Sequence, residues 1–208
     1  MFGESGVTPQ NETTPMHPRS AYGISKVSGF HLTRNYRESY KIHASTGILF
    51  NHESPRRGFE FVTRKITSHV AQIKLGITDK LRLGNLDAKR DWGHARHYVP
   101  VMWKMLQMDR PTDLVIGTGK NHRVRDFCEV AFRHVGLDYQ DFTVVDEKLY
   151  RPAEATNLLA DSSLAKEVLD WKYEGTLAEL VTEMVDSDLA YFSSRAQNAI
   201  AETESAAR

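Results

Sequence analysis

Tyr22 and Lys26 stand four residues apart, and the run Asn51-His52-Glu53-Ser54-Pro55-Arg56-Arg57-Gly58 begins twenty-five residues after Lys26. A free phenol has a pKa of about 10 and is a poor base at neutral pH. An ammonium group beside it stabilises the phenolate and lowers that value. Positions i and i+4 of a helix share one face, so the pair can meet. The same ammonium can also hydrogen-bond the ribose of a nicotinamide cofactor. Two solvated residues on a helix surface would show the same spacing. What favours chemistry is their place, just ahead of an apolar segment that ends in Asn-His-Glu.

Within seven residues, Asn51, His52, Glu53, Arg56 and Arg57 combine a neutral amide, an imidazole, a carboxylate and two guanidinium groups. Pro55 fixes the turn and Gly58 permits close backbone approach. That mixture suits a charged ligand better than a merely solvated loop. His52 could be a metal ligand, a base or a hydrogen-bonding loop residue. No second histidine or cysteine stands nearby at ligand spacing, which discounts a metal. Arg64-Lys65 and Lys89-Arg90 read either as solvated charge or, together with Arg57, as a grip on a diphosphate, which arginine holds by paired hydrogen bonds. Arg151-Pro152-Ala153-Glu154 offers a cation for a phosphate and a carboxylate for a ribose diol, or a plain surface ion pair. Trp92, Trp103 and Trp171 read as packing residues, with ligand stacking an alternative for Trp92.

These groups must be placed by an α/β scaffold. Residues 1–19 are polar and turn-rich, as a surface loop would be. Ser20 caps a helix running to about Tyr40, with Ile24, Val27 and Phe30 at helical spacing. Ile42–Phe50 reads as a buried strand that delivers Asn51 to its C-terminal end, where open α/β sheets bind ligands. Val62, Ile66, Val70 and Ile73 mark a helix stopped by Gly76. A strand over Lys80–Leu83, the loop Gly84–Gly93 and a helix carrying Tyr98, Val99, Met102 and Leu106 follow. Further on come a strand over Asp113–Ile116, a helix over Val124–Val135 and a strand over Phe142–Val145. Ser162 caps a short helix ending near Asp170, and Thr176-Leu177-Ala178-Glu179 opens the last long helix as a capping box. The alternation of strand and helix gives an α/β protein.

Composition narrows the partners. The formal net charge is zero, against a general nucleic-acid or membrane-surface binder. Basic residues nevertheless outnumber acidic ones ten to four between Arg56 and Arg96, and the balance reverses to four against thirteen between Asp138 and Asp188, so an anion is drawn to the first stretch. The one cysteine, Cys128, excludes an intramolecular disulfide and fits a reducing compartment. It lies in an amphipathic run with Val124, Phe127, Ala131 and Val135, as a buried structural thiol would. No run approaches the roughly 18 apolar residues of a membrane span, and the polar start is no signal peptide. A cytoplasmic protein is expected.

Together these residues resemble the extended short-chain dehydrogenase/reductase superfamily and, within it, the GDP-mannose 4,6-dehydratase family. Tyr22-Gly23-Ile24-Ser25-Lys26 is similar to the superfamily's Tyr-x-x-x-Lys. Gly47 to Gly58, Phe61-Val62-Thr63-Arg64-Lys65-Ile66 and Leu83 to His94 resemble the dehydratases almost letter for letter, with Tyr150-Arg151-Pro152-Ala153-Glu154 a shorter match. The likeness runs from Met1 to about Leu189. It departs at Ala155-Thr156, where the family usually has an acidic residue.

The resemblance implies an α/β fold: the second part of an NAD(P)-binding Rossmann-like domain plus a smaller C-terminal substrate-binding domain. Residues 1–60 are expected to carry the Tyr-x-x-x-Lys helix of a truncated Rossmann-like portion, residues 61–196 mainly the GDP-sugar site, and residues 197–208 a flexible tail. It implies NADP as cofactor and GDP-mannose as substrate. Tyr22 would take the proton of the 4-hydroxyl while hydride leaves carbon 4. Water is then lost across carbons 5 and 6, and the hydride returns at carbon 6 to give GDP-4-keto-6-deoxymannose. Tyr22 and Lys26 match catalytic positions; Tyr22, Lys26, His52 and Arg57 match cofactor contacts. Asn51, Lys65, Asn85, Arg90, Arg151 and Glu154 match substrate contacts, and no metal is implied. The family's glycine-rich cofactor turn and its catalytic Thr and Glu would precede Met1, so these 208 residues are expected to be inactive alone. The alternative is a non-catalytic GDP-sugar-binding remnant or a partner subunit of an intact homologue. Association, as a homo-oligomer or with a longer dehydratase chain, is expected because the Ile42–Phe50 strand would expose an edge and an apolar flank.

Overall fold

Apolar periodicity is met by alternating helices and short strands in a computed structural model, which describes residues 1–150 and 158–206. In chain order these are α1 (Ala21–Tyr40), β1 (Gly47–Leu49), β2 (Asn51–Glu53), α2 (Val62–Lys74), β3 (Leu81–Leu83), β4 (Lys89–Arg90) and β5 (Trp92–His94). They continue with α3 (Ala95–Leu106), β6 (Leu114–Ile116), β7 (His122–Arg123), α4 (Val124–His134), α5 (Tyr139–Phe142), β8 (Thr143–Val145), α6 (Ser163–Leu169) and α7 (Leu177–Ala206). The chain forms two compact units. The first holds Met1–His52, Asp87–Val124 and residues 158–176; the second holds Glu53–Leu86, Arg125–Tyr150 and residues 177–206.

The first unit is built on β1 and β6, which run parallel with Gly47 opposite Leu114 and Leu49 opposite Ile116. Successive strand residues face opposite sides, so Ile48 and Val115 pack with Phe2 and Ala160 on one face. Leu114 and Ile116 pack on the other with Tyr98, Val101 and Met105 of α3, Ala165 of α6, and Trp171. Both faces are therefore covered, as a parallel pair requires, and the exposed apolar flank anticipated for this strand is absent at Ile48, which is buried.

One of those covers is the N-terminal segment, which is not the surface loop its polarity suggests. Phe2 is buried in the core, and Gln10 is buried while bonding through its backbone and side chain to Leu159 and Asp161. Glu12 accepts the backbone N–H of Val115 at 2.7 Å. Gly3 has φ +56°, and a Cβ there would lie 1.9 Å from the carbonyl oxygen of His17, so the bridge between these two residues needs glycine. The signal was hidden because polar side chains at irregular spacing make these ties.

The strand expected over Ile42–Phe50 shortens to Gly47–Leu49. Side chains take the backbone partners of its first half: Arg37 donates to the Ala44 carbonyl at 2.8 Å, and Asp113 accepts the Thr46 N–H at 2.7 Å. Arg37 and Asp113 are also joined by two parallel bonds of 2.8 Å each. The loop expected over Gly84–Gly93 contains β4, antiparallel to β7, and the start of β5. Ser162 stands at the N-cap of α6, yet its hydroxyl bonds the backbone of Gly117 instead of the helix.

In the second unit α2 packs against α7 and β3, and β3 runs parallel to β8. Ile66, Val70 and Ile73 recur at i, i+4 and i+7, so one face of α2 is buried, as are Leu180, Val181, Met184 and Val185 of α7. Cys128 is fully buried on α4, and burial pushes its thiol up to about 12, which makes it an inert core residue at neutral pH. Among the described residues no helix is long and apolar enough to cross a membrane.

Candidate active site

Ser20 has extended backbone and its hydroxyl accepts the Gly23 N–H at 3.0 Å, fixing the first turn of α1. Tyr22 and Lys26 leave that turn on one face, with the Lys26 ammonium 5.2 Å from the centre of the Tyr22 ring. Tyr22 is 72% exposed and lines a cleft of about 360 Å³, a volume in the range of small-ligand pockets. Asn51 and Arg90 line the same cleft. Asn51 arrives there because Phe50 bonds Ile116 at 2.8 Å and ends the parallel pairing, leaving Asn51 beyond the C-terminal end of β1.

His52 is half-buried and stacks on Tyr98 with ring centres 5.1 Å apart. Its Nδ1 lies 2.9 Å from the Phe50 carbonyl, which can only accept, so the bond assigns the proton to Nδ1. Neutral His52 thereby presents Nε2 as an acceptor. Among the described residues no group of three His, Cys, Asp or Glu is placed to hold a metal.

Asp91, to which no local pattern in the sequence assigns a role, anchors the cleft wall. It is 1% exposed. Its two oxygens accept the N–H groups of Thr118 (2.9 Å), Gly119 (3.0 Å) and Ala160 (3.3 Å) and the Thr118 hydroxyl (2.7 Å). Gly117 must be glycine for this turn to seat, because a Cβ there would stand 2.3 Å from that of Ala160. Arg90, next in the chain, is thereby held on the cleft.

The remaining candidates lie in the second unit. Arg57 pairs with buried Glu53 at 3.1 Å, and its guanidinium sits 3.5 Å above the Phe61 ring. Lys65 and Asn85 are half-buried, Lys65 on α2 and Asn85 two residues beyond β3. Arg64 differs from the solvated or phosphate-gripping cation the sequence suggests: it is buried and bound to Asp188 of α7. Trp92 and Trp171 are buried as packing residues, and Trp171 donates to the His97 carbonyl at 3.2 Å; Trp103, expected to pack, is 64% exposed. Arg151 and Glu154 lie outside the described residues.

A parallel α/β core with its cleft at a strand's C-terminal end places the chain in the class of Rossmann-like α/β proteins. RMD from Pseudomonas aeruginosa, complexed with NADPH, shares the fold with a TM-score of 0.81 at 18% identity, covering 91% of this chain and 63% of that one. The dTDP-glucose 4,6-dehydratase of Bacillus anthracis, in complex with NAD, gives 0.75 at 21%, covering 87% and 56%. Within that class the chain belongs to the GDP-mannose 4,6 dehydratase family, whose profile matches residues 1–184. It is 53% identical to GDP-mannose 4,6 dehydratase 2 of Arabidopsis thaliana, over 91% of this chain and 50% of that protein. It is 47% identical to the Homo sapiens GDP-mannose 4,6 dehydratase, over 91% and 55%. The chain thus spans about half the length of the curated relatives it matches.

Proposed function

We propose that these residues form the substrate side of a GDP-mannose 4,6-dehydratase, converting GDP-mannose to GDP-4-keto-6-deoxymannose. The observation that carries this reading is the meeting of Tyr22, Asn51 and Arg90 on one cleft at the end of a parallel strand. The Lys26 ammonium stabilises Tyr22 as the phenolate, which accepts the proton of the sugar 4-hydroxyl and becomes the neutral phenol as hydride leaves carbon 4. Asn51 orients the hexose by hydrogen bonds. Arg90 takes a phosphate oxygen, with Lys65 and Asn85 as further substrate contacts; Arg151 and Glu154 complete that set by sequence match. The donor chemistry fits NADP: an exposed ammonium at Lys26, the imidazole of His52 held in one tautomer, and the guanidinium of Arg57. NADP, when bound, supplies the hydride acceptor at carbon 4 and returns the hydride at carbon 6. Loss of water also needs a base at carbon 5 and an acid at the carbon-6 hydroxyl, roles that none of these residues fills. A cytoplasmic location fits the single buried thiol, and the active assembly contains a second or longer dehydratase chain.

Calorimetric titration of residues 1–208 with GDP-mannose, against GDP-glucose as control, tests the substrate half of this reading. Saturable binding that prefers the mannose nucleotide is expected. Arg90→Met should weaken it about tenfold, the effect of losing one charge-assisted contact of roughly 1.4 kcal/mol. Tyr22→Phe should leave binding unchanged, because its hydroxyl acts in the reaction and not in affinity. Equal affinity for both nucleotides would overturn the assignment. A turnover assay on the same sample should give none, and robust turnover abolished by Tyr22→Phe would refute the expectation that other residues complete the elimination.

A further inference from the structure

Arg64 is the one guanidinium of the Arg56–Lys65 stretch that is buried, and its bonds converge on the loop that carries Arg57. Its Nε donates to both Asp188 oxygens, at 2.8 and 2.9 Å, and its Nη2 lies 2.6 Å from Oδ1 of the same carboxylate. Its Nη1 donates to the backbone carbonyls of Pro55 and of Arg57, the latter at 3.1 Å. The plane of the group lies over the Phe59 ring, 4.5 Å from its centre. Asp188 is fully buried and takes one further bond, from the Thr67 hydroxyl at 2.7 Å. A charge so removed from water is tolerated only when paired and hydrogen-bonded, and here the pairing leaves Nη1 free to hold the loop.

We infer that Arg64 and Asp188 are positioning residues: the last long helix, through Asp188, aims the Arg64 fork at two carbonyls of the Ser54–Gly58 loop and so fixes the place of Arg57. The inference rests on the reading of Arg57 as a cofactor contact for its consequence, although not for its geometry. Three local bonds complete the loop. Arg57 N–H meets the Ser54 carbonyl at 3.0 Å, Arg56 N–H meets the Ser54 hydroxyl at 3.1 Å, and Phe61 N–H meets the Gly58 carbonyl at 3.2 Å. Glu53, itself bonded by the Thr63 hydroxyl at 2.6 Å, then orients the Arg57 side chain. Backbone is thus held by Arg64 and side chain by Glu53. The planar, five-donor fork is what lets one residue bind a carboxylate on one edge and two carbonyls on another; a lysine is a single point of charge and cannot do both.

The test is amide hydrogen exchange on residues 1–208, comparing Arg64→Lys and the double variant Arg64→Met/Asp188→Leu with the parent chain. The double variant removes a buried charge pair together and replaces it with apolar groups of similar size, so α2 and α7 should stay folded. Exchange at the Arg57 and Phe61 amides should rise at least tenfold in both variants, while amides at Val70 and Val181 keep their protection. A pair that served only to bind α2 to α7 would predict wild-type protection in the loop of the double variant, and that result would overturn the inference. NADP titration of the same three proteins separates the two layers of the argument. Weakened NADP binding in Arg64→Lys supports both. Faster loop exchange with unchanged NADP affinity keeps the positioning role and removes Arg57 from the cofactor site.

Discussion

A carboxylate that accepts four hydrogen bonds while nearly inaccessible to water has little tolerance for change. At Asp91 each oxygen faces two donors, with Thr118 N–H and hydroxyl on one side and the Gly119 and Ala160 amides on the other. Asp91→Asn keeps the volume and sets an NH2 against one of those donor pairs, whichever way the amide turns. Leaving two buried amides or a hydroxyl and an amide unsatisfied should cost about 2–3 kcal/mol. Denaturant unfolding would measure it, and a midpoint unchanged from the parent would mean that the Asp91 contacts are weaker than their distances imply. Asp91, Arg64 and Asp188 share a reason for escaping the sequence reading. A charged letter in a polar stretch looks solvated unless its long-range partners are known, and Asp188 lies 124 residues from Arg64. The placement of Tyr22 and Lys26 on one helical face, and of Asn51 after a strand, was legible because its cue was local: a spacing of four and an apolar run.

Helix α1 and strands β1 and β6 are coupled through one ion pair, Arg37 with Asp113, both largely shielded from water. Burial pushes the Asp113 carboxyl up, but the Arg37 bonds and the Thr46 N–H outweigh it and hold the group below the ordinary carboxylate value. The folded-state pKa is therefore depressed, so the stability it contributes is fully present above the unfolded value, near 3.9, and is lost as pH falls through the folded value. Arg37→Met should cost about 2–3 kcal/mol at pH 7 and should flatten the loss of stability below about pH 4. Unfolding curves from pH 7 down to 3 would read both; an acid limb identical in the variant would show that other carboxylates dominate. Elements with strong periods, such as α2 and α4, and the Ser20 cap were legible from the chain. The packed N-terminal segment and the shortened β1 were not, since both rest on bonds between a side chain and a backbone N–H distant in sequence: Glu12 and Gln10 accept from Val115 and Leu159, and Asp113 accepts from Thr46.

At the scale of the whole chain, apolar surface remains where a folded α/β protein would cover it. Gly23 is the buried residue of the twenty in α1, while Ile24, Leu32, Tyr36 and Tyr40 are each more than half exposed. On α3, Val99, Trp103 and Leu106 recur at helical spacing and are likewise more than half exposed. Covering an exposed leucine or tyrosine is worth about 1.5–3 kcal/mol, so several together favour association. The formal charge of zero at pH 7 offers no repulsion to oppose it. Spanning about half of its relatives' length, the chain has faces that a longer protein can cover from its own residues. Residues 1–208 should therefore self-associate in sedimentation velocity as concentration rises through the micromolar range, and bind a hydrophobic dye. The double variant Leu32→Lys/Tyr36→Glu should shift the distribution toward monomer without lowering the melting temperature, because neither side chain is buried. A parent chain that stays monomeric and binds no dye would mean that this apolar surface is stable in water as it stands, and that no second chain is needed to cover it.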